Sequence, residues 1–184
     1  MKKRFKRVIA FAVFIIALGV GYNFFAVHFS GDGKDSPQEA LPADSNYEWI
    51  AGPKSDREER YFYLFNGDSI GTINVTKNFK GWSSGTGTSS PLPKLLEENQ
   101  VNAAYSDNEI LFGLLKPDGE VKVTVNGQKT ERITLTSLSK EIVELYNIKG
   151  YEIWYIDLSR LNESKNYLIK VLDKNNSLVN ELSI

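Results

Sequence analysis

Two short patterns place serine near lysine or an acid at spacings that some hydrolases use. Ser137 is followed three positions later by Lys140, an S-x-x-K spacing in which a lysine amine can activate a serine nucleophile. Ser106, Asp107 and Asn108 match a second pattern of such enzymes, S-D-N. A serine-lysine hydrolase is therefore the one enzyme class for which this chain offers named candidates.

The order of these motifs differs from the order in penicillin-binding enzymes, which they otherwise resemble. In that family S-x-x-K comes first, S-D-N second and K-T-G third, whereas here S-D-N precedes S-x-x-K. The third motif fails because Lys129-Thr130 is followed by Glu131, and 184 residues are too few for that fold. The sequence favours a protein that is not an enzyme, and no catalytic residue is predicted.

Most other catalytic and metal chemistries lack their residues. The chain has no cysteine, and its one histidine is His28. The remainder of the chain therefore has no imidazole for a catalytic triad or a metal site. Asp157 is expected to bond to a nearby turn, and the spacing Asp173-x-Asn175-x-Ser177 is expected to form a hairpin turn rather than a calcium loop. No metal ion and no cofactor are predicted.

The segment 81–91, GWSSGTGTSSP, is rich in Gly, Ser and Thr behind a tryptophan. A phosphate-binding loop of the form G-x-x-x-x-G-K-[ST] needs a lysine, which this segment lacks, so no nucleotide is predicted. We expect a mobile loop between strands. Such loops often carry binding function on a rigid scaffold, so we expect a partner to bind here. A linker between two sheet units is the alternative. The predicted partner-binding residues are Trp82, Ser83, Thr86 and Thr88.

The strongest pattern lies at the N-terminus. Residues 1–7 contain five Lys or Arg residues, and the 22 residues 8–29 contain no charged side chain. As a helix, a segment of that length spans about 33 Å, close to the roughly 30 Å of a hydrocarbon core. Basic residues favour the cytoplasmic side. We expect a cytoplasmic basic segment, an uncleaved single-pass helix at 8–29 in the cell membrane, and a C-terminal domain outside; a cleaved signal peptide is the alternative.

Composition after the helix indicates a linker and then an acidic domain. Residues 30–46 are rich in Gly, Pro, Ser and Asp and are predicted to be flexible. Five of the 22 Lys and Arg residues precede residue 8, which leaves 17 against 23 Asp and Glu. Nucleic-acid binding requires clustered cations, so it is not expected.

From residue 47 onward the pattern alternates with period two and is interrupted by turn residues. This pattern predicts an all-β, antiparallel, immunoglobulin-like sandwich over 47–184, with two small units, 47–105 and 106–184, as an alternative. Short helical turns are predicted from Ser55 and over 93–99, whereas residues 141–148 fit a helix or a strand. Strands are predicted at 47–51, 60–66, 69–77, 109–115, 120–125, 130–136, 151–158, 167–172 and 178–183, with hairpin turns at 66–68, 126–127 and 173–177.

These features favour a non-catalytic binding or structural role. An accessory subunit or envelope interaction protein fits them best, with a membrane or envelope protein as its partner. The first alternative is a module that binds wall polymer or another carbohydrate through Trp49, Trp82 or Trp154, which would require an exposed row of these rings. The serine-lysine hydrolase is the least favoured alternative.

Overall fold

The computed structural model describes residues 2–93, 95–101, 104–162 and 166–184. Its helices are α1 (Lys2–Phe29), α2 (Pro37–Ala40) and α3 (Lys140–Leu145), and a short 3-10 helix covers Leu158–Arg160. The strands are β1 (Tyr47–Lys54), β2 (Glu58–Phe65), β3 (Ser69–Lys77), β4 (Trp82–Ser84), β5 (Thr88–Pro91), β6 (Ala104–Ser106), β7 (Ile110–Leu115), β8 (Val121–Val125), β9 (Gln128–Lys129), β10 (Glu131–Thr134), β11 (Glu152–Asp157), β12 (Leu168–Asp173) and β13 (Leu178–Ser183).

Helix α1 contains a stretch, Arg4–Ala26, that is long and apolar enough to cross a membrane. Its 23 residues span about 35 Å at 1.5 Å per residue, slightly more than a hydrocarbon core of roughly 30 Å. No other helix in the described part of the chain meets this condition. The predicted apolar helix at this end is confirmed.

The chain folds into two compact units. Strands β1, β2 and β3 contribute residues to both of them. Unit 1 contains Met1–Ala43, Lys54–Glu59 and Asn74–Gly85, and unit 2 contains Asp44–Pro53, Arg60–Ile73 and Thr86–Ile184.

Part of the segment predicted to be a flexible linker is folded within unit 1. The Ser36 hydroxyl caps α2 by accepting a hydrogen bond from the Glu39 backbone N–H at 3.3 Å. Lys34 and Trp82 exchange two backbone hydrogen bonds of 2.8 Å, which attach the segment to β4. The bonds between Lys34 and Trp82 join residues far apart in sequence, so the polar composition of the segment did not reveal them.

The strands form three sheets. Sheet A has the order β1-β2-β3-β4, with β5 also paired with β3; sheet B has the order β10-β11-β7-β6, and sheet C has the order β13-β12-β8-β9. The pairs in sheets B and C are antiparallel. The prediction of a mostly antiparallel β protein behind one apolar helix is confirmed, whereas the immunoglobulin-like arrangement is not.

Strand β7 is buried on both faces because sheet B packs between the other two sheets. Ile110, Phe112 and Leu114 pack in one core with side chains of sheet A. Leu111 and Leu115 pack in a second core with side chains of sheet C. All six residues of β7 are buried, as expected for an apolar run without alternation. Unit 2 is therefore a layered β structure whose central sheet has no solvated face at β7.

The three predicted hairpin turns are confirmed, but the strand predicted after the middle turn lies in another sheet. Asn66 and Gly67 join β2 to β3 with φ angles of 52° and 80°, the left-handed pair that favours a tight hairpin. Strand β8 pairs with β12 on one side and with the two-residue β9 on the other, whereas β10 pairs with β11 in sheet B. Thr130 lies at this crossing, buried, with its N–H and Oγ1 both donating to the Val123 carbonyl at 3.1 Å. These two bonds hold Thr130 to β8 at the point where the chain leaves sheet C for β10 of sheet B.

Three helix predictions have different outcomes. Residues 55–57 connect β1 to β2, so the helical turn predicted at Ser55 is wrong. The described part of 93–99 contains no helix, and Lys94 lies outside the described residues. Residues 141–148 begin as a helix, because Ser139 caps α3 by accepting a hydrogen bond from the Ile142 N–H at 3.4 Å.

Candidate functional site

The segment predicted to be a partner-binding loop is largely strand. Trp82 and Ser83 lie in β4 of unit 1, where Trp82 is only 7% exposed. Thr86 and Thr88 lie in unit 2, with Thr88 at the start of β5 and opposite Thr72 of β3. The mobile-loop expectation is therefore wrong for most of 81–91, because both halves pair with β3. The four residues do not belong to one unit.

The serine-lysine pair is at the protein surface. Ser137 lies in the turn before α3, and Lys140 is the first residue of that helix. Both residues are exposed. A lysine that acts as a base toward serine requires a desolvated position, which neither side chain has here.

The acids singled out in the sequence hold turns. Asp157 caps the 3-10 helix, and its Oδ1 accepts a hydrogen bond from the Ser159 N–H at 2.8 Å. Hydrogen bonding from Ser159 lowers the pKa of Asp157 below its usual value. Asp173 Oδ1 accepts from the N–H groups of Asn175 and Ser177, both at 2.8 Å. The hairpin-turn prediction is confirmed for this second motif.

Metal binding finds no support in the described ranges. They contain no group of three or more His, Cys, Asp or Glu side chains that could hold a metal ion.

The three tryptophans do not form an exposed row. Trp154 is fully buried in the core between sheets B and C, and Trp82 is nearly so. Trp49 alone among them is half-buried. This arrangement does not meet the condition stated above for a carbohydrate module that uses all three rings.

Five aromatic side chains instead cluster on one face of sheet A, which we call the aromatic face. Alternation explains it, since Ile50 of β1 and Phe62 of β2 point into the core while their neighbours point the other way. The Tyr47 and Trp49 rings stack with centroids 4.9 Å apart and an interplanar angle of 9°. The face consists of Tyr47, Trp49, Tyr61, Tyr63 and Phe65.

Tyr63 anchors this cluster. Its ring meets the rings of Tyr47 and Trp49 edge-on at 5.1 and 5.3 Å, and its hydroxyl donates to the Thr88 carbonyl at 3.1 Å. Burial raises the pKa of the Tyr63 hydroxyl, which therefore remains protonated and available as a donor. Gly71 lies directly beneath, and a Cβ there would collide with the Tyr63 ring. Half-buried Tyr47, Trp49 and Phe65 form the solvent-accessible part.

The aromatic face borders a long free edge. Strand β1 ends the order of sheet A, with β2 as its one partner strand in the described chain. It has eight residues, whereas the edge strands β4, β6, β9 and β10 have two to four and β13 has six. Its first six residues, YEWIAG, contain a single charge. Proteins usually protect such edges with lysine, proline, bulges or short strands. The first six residues of β1 contain neither lysine nor proline.

A cavity of about 700 Å³ opens beside α3, also within unit 2. Its apolar floor includes Leu135, Ile148 and Tyr151. Both cations and acids line it, among them Lys140 and Glu144, so neither charge sign dominates. Its volume suits a small ligand, but its charges do not select a ligand class.

The alternating aromatic residues in 47–51 and 60–66 could have indicated the aromatic face. What the sequence alone did not indicate is which side of the sheet another layer covers. Comparison with protein families, with curated proteins and with solved structures gave no significant match.

Proposed function

We propose that this chain is a single-pass membrane protein whose β domain binds an extended segment of an envelope protein along the free edge of β1. The role is non-catalytic, as in an accessory subunit. The observation that carries the proposal is the long, nearly uncharged edge of β1 beside the half-buried rings of Tyr47 and Trp49.

The edge supports this mode of binding through its backbone groups. An added strand would bond to the free backbone groups of β1, which supply affinity for any extended sequence. The aromatic face would supply specificity, because Trp and Tyr dominate the energetics of protein interfaces. Trp49 offers an accessible ring held in place by Tyr47, Tyr61 and Tyr63, so little side-chain entropy is lost on binding.

Membrane attachment is supported by the apolar stretch Arg4–Ala26 and by the five basic residues that begin the chain. The basic residues favour the cytoplasmic side, so we expect the part of the chain after α1 to lie outside. Alkaline carbonate extraction and protease treatment of intact cells test this arrangement. We expect the full chain in the membrane pellet and a domain degraded from outside; a shortened chain in the supernatant would indicate a cleaved signal peptide instead.

Photocrosslinking tests the edge. Benzoylphenylalanine is introduced in the full-length protein at Ala51, exposed on β1, or at the matched control Ser183, exposed on the edge strand β13. We expect position 51 to crosslink to one contiguous segment of a single envelope protein, and position 183 not to do so.

Variants then separate edge binding from adventitious contact. Trp49→Ala is expected to reduce the crosslink at position 51 by at least tenfold, given the roughly 2 kcal/mol or more that a tryptophan hot spot contributes. Binding of the identified segment should also be lost in Ala51→Lys, since a lysine on an edge opposes strand addition. Equal crosslinks at 51 and 183, or a crosslink to a second copy of this chain, would overturn the proposal.

A further inference from the structure

A second surface lies in unit 1, where the turn between β3 and β4 packs against the end of α1. The Phe79 backbone N–H donates to the His28 carbonyl at 3.1 Å, and Asn78 Nδ2 donates to the Ser30 carbonyl at 2.9 Å. The Phe79 ring lies 5.3 Å from the His28 ring and 5.7 Å from the Phe29 ring. The turn is thus attached to the last residues of the helix.

The position of this turn relative to the bilayer follows from α1. This step rests on the proposed function, in which α1 spans the membrane. The basic segment ends at Arg7, so the hydrocarbon core begins near Val8, and at 1.5 Å per residue about 30 Å of helix ends near His28. His28 and Phe29 therefore leave the core at the headgroup layer, and Phe79 lies beside them. Phe79 is 69% exposed, an unusual position for phenylalanine in water but a favourable one at the edge of a bilayer.

A groove of about 690 Å³ begins at this point. Arg57 and Lys77 are its two cations and Asp56 is its one acid, while Phe79 forms an apolar wall. Lys77 Nζ lies 5.7 Å from the centroid of the Trp82 ring, which positions the ammonium group without neutralising it. Ser30, Thr76, Ser83 and Ser84 contribute hydroxyl groups to its lining.

We propose that this groove binds the phosphate of an anionic phospholipid in the leaflet at the C-terminal end of α1. The Arg57 guanidinium and the Lys77 ammonium pair with the phosphate, and the hydroxyls of the groove can donate to its oxygens. The acyl chains of the same lipid run along the rings of Phe29 and Phe79. Two cations against one acid favour an anionic headgroup over a zwitterionic one.

Native mass spectrometry of the detergent-solubilised full-length protein tests the ligand. Dioleoylphosphatidylglycerol and dioleoylphosphatidylcholine are added separately. We expect phosphatidylglycerol to be retained more tightly, and its affinity to fall on the order of tenfold in Arg57→Gln/Lys77→Gln. The matched control, Lys122→Gln/Lys170→Gln in sheet C, should leave the affinity unchanged.

Three results would overturn the proposal. Equal retention of the two lipids would remove the charge selectivity, and an unchanged affinity in Arg57→Gln/Lys77→Gln would remove the site. Displacement of phosphatidylglycerol by inorganic phosphate at equal concentration would indicate a general anion site instead of a lipid site.

Depth measurement separates this inference from the membrane span on which it rests. Because the chain has no cysteine, single spin labels can be placed at Val13→Cys and Phe79→Cys in vesicles of phosphatidylcholine and phosphatidylglycerol. We expect label 13 in the hydrocarbon and label 79 at headgroup depth, with Asn176→Cys in bulk water. Label 13 in water would refute the span, whereas label 13 in hydrocarbon with label 79 in water would refute only the lipid groove.

Discussion

Arg60 allows the most direct test of how sheets A and B are held together. It is 6% exposed on β2, and its guanidinium pairs with the carboxylates of Asp107 and Glu109, just before β7. Arg60→Met keeps most of the apolar length of the side chain and removes the charge. The Asp107 carboxylate, with 12% of its side chain exposed, then loses its cationic partner.

The magnitude follows from burial. Removing one partner of a buried ion pair costs roughly 3–5 kcal/mol. Glu109 contributes little, because 62% of its side chain is exposed. Asp107 Oδ1 keeps two backbone donors, Glu109 N–H at 3.1 Å and Ile110 N–H at 2.9 Å, so the lower limit applies. We expect a loss of about 3 kcal/mol and a Tm lower by roughly 6–12 °C.

Urea unfolding of the detergent-solubilised full chain, followed by tryptophan fluorescence, measures this loss. The control is Lys170→Met, whose partner Glu181 is at 3.3 Å and in which the two side chains are 39% and 44% exposed, so less than about 1 kcal/mol is expected. A double-mutant cycle with Asp107→Asn should give a coupling energy of at least about 1 kcal/mol. Equal losses in Arg60→Met and Lys170→Met, or additive effects in the cycle, would refute the reasoning.

Three further variants can be measured in the same assay. Gly71→Ala should cost about 1–3 kcal/mol because the new Cβ collides with the Tyr63 ring; a neutral effect would contradict this close approach. Trp154→Ala should cost about 3–5 kcal/mol, whereas Trp154→Phe should cost far less, because phenylalanine removes a buried Nε1–H that has no partner in the described chain. Asp157 has a lowered pKa, so its contribution is present above the unfolded value of about 3.9 and is lost as pH falls through the folded value. The stability difference between wild type and Asp157→Asn should therefore shrink below about pH 4, and a constant difference would contradict this linkage.

Strand positions were the most predictable part of the fold, because period-two alternation is local. Strand β3 begins and ends at the predicted residues, and β8 has Val121, Val123 and Val125 on its buried face. Pairing was less predictable, since it depends on contacts distant in sequence. The turn at Asn126 and Gly127 is real, but the chain after Thr130 pairs with β11 in another sheet. The third layer was missed for the same reason.

The aromatic residues of the candidate site could be recognised in the sequence, but their role as the site could not. The rings of β1 and β2 were visible as aromatic, alternating runs, yet the Gly- and Ser-rich segment 81–91 attracted the binding prediction. That segment pairs with β3, because small side chains such as Ser83 and Ser89 also suit short strands beside a close neighbour. The Gly- and Ser-rich composition therefore indicated a flexible loop, whereas backbone pairing with β3 makes most of this segment strand.

The burial of β7 on both faces affects how the chain folds during its synthesis. Synthesis proceeds from the N-terminus, so sheet A can receive one face of β7 early, while β8, β11 and β12 are still to come. Strand β12 ends roughly 60 residues after β7, which takes about 3–12 s at 5–20 residues per second. During this interval the core around Leu111 and Leu115 is incomplete, because it lacks Ile169 and Val171 of β12. An unfinished chain thus exposes an apolar, aggregation-prone strand for seconds. The yield of folded protein in cells should therefore depend on how quickly the C-terminal third is synthesised.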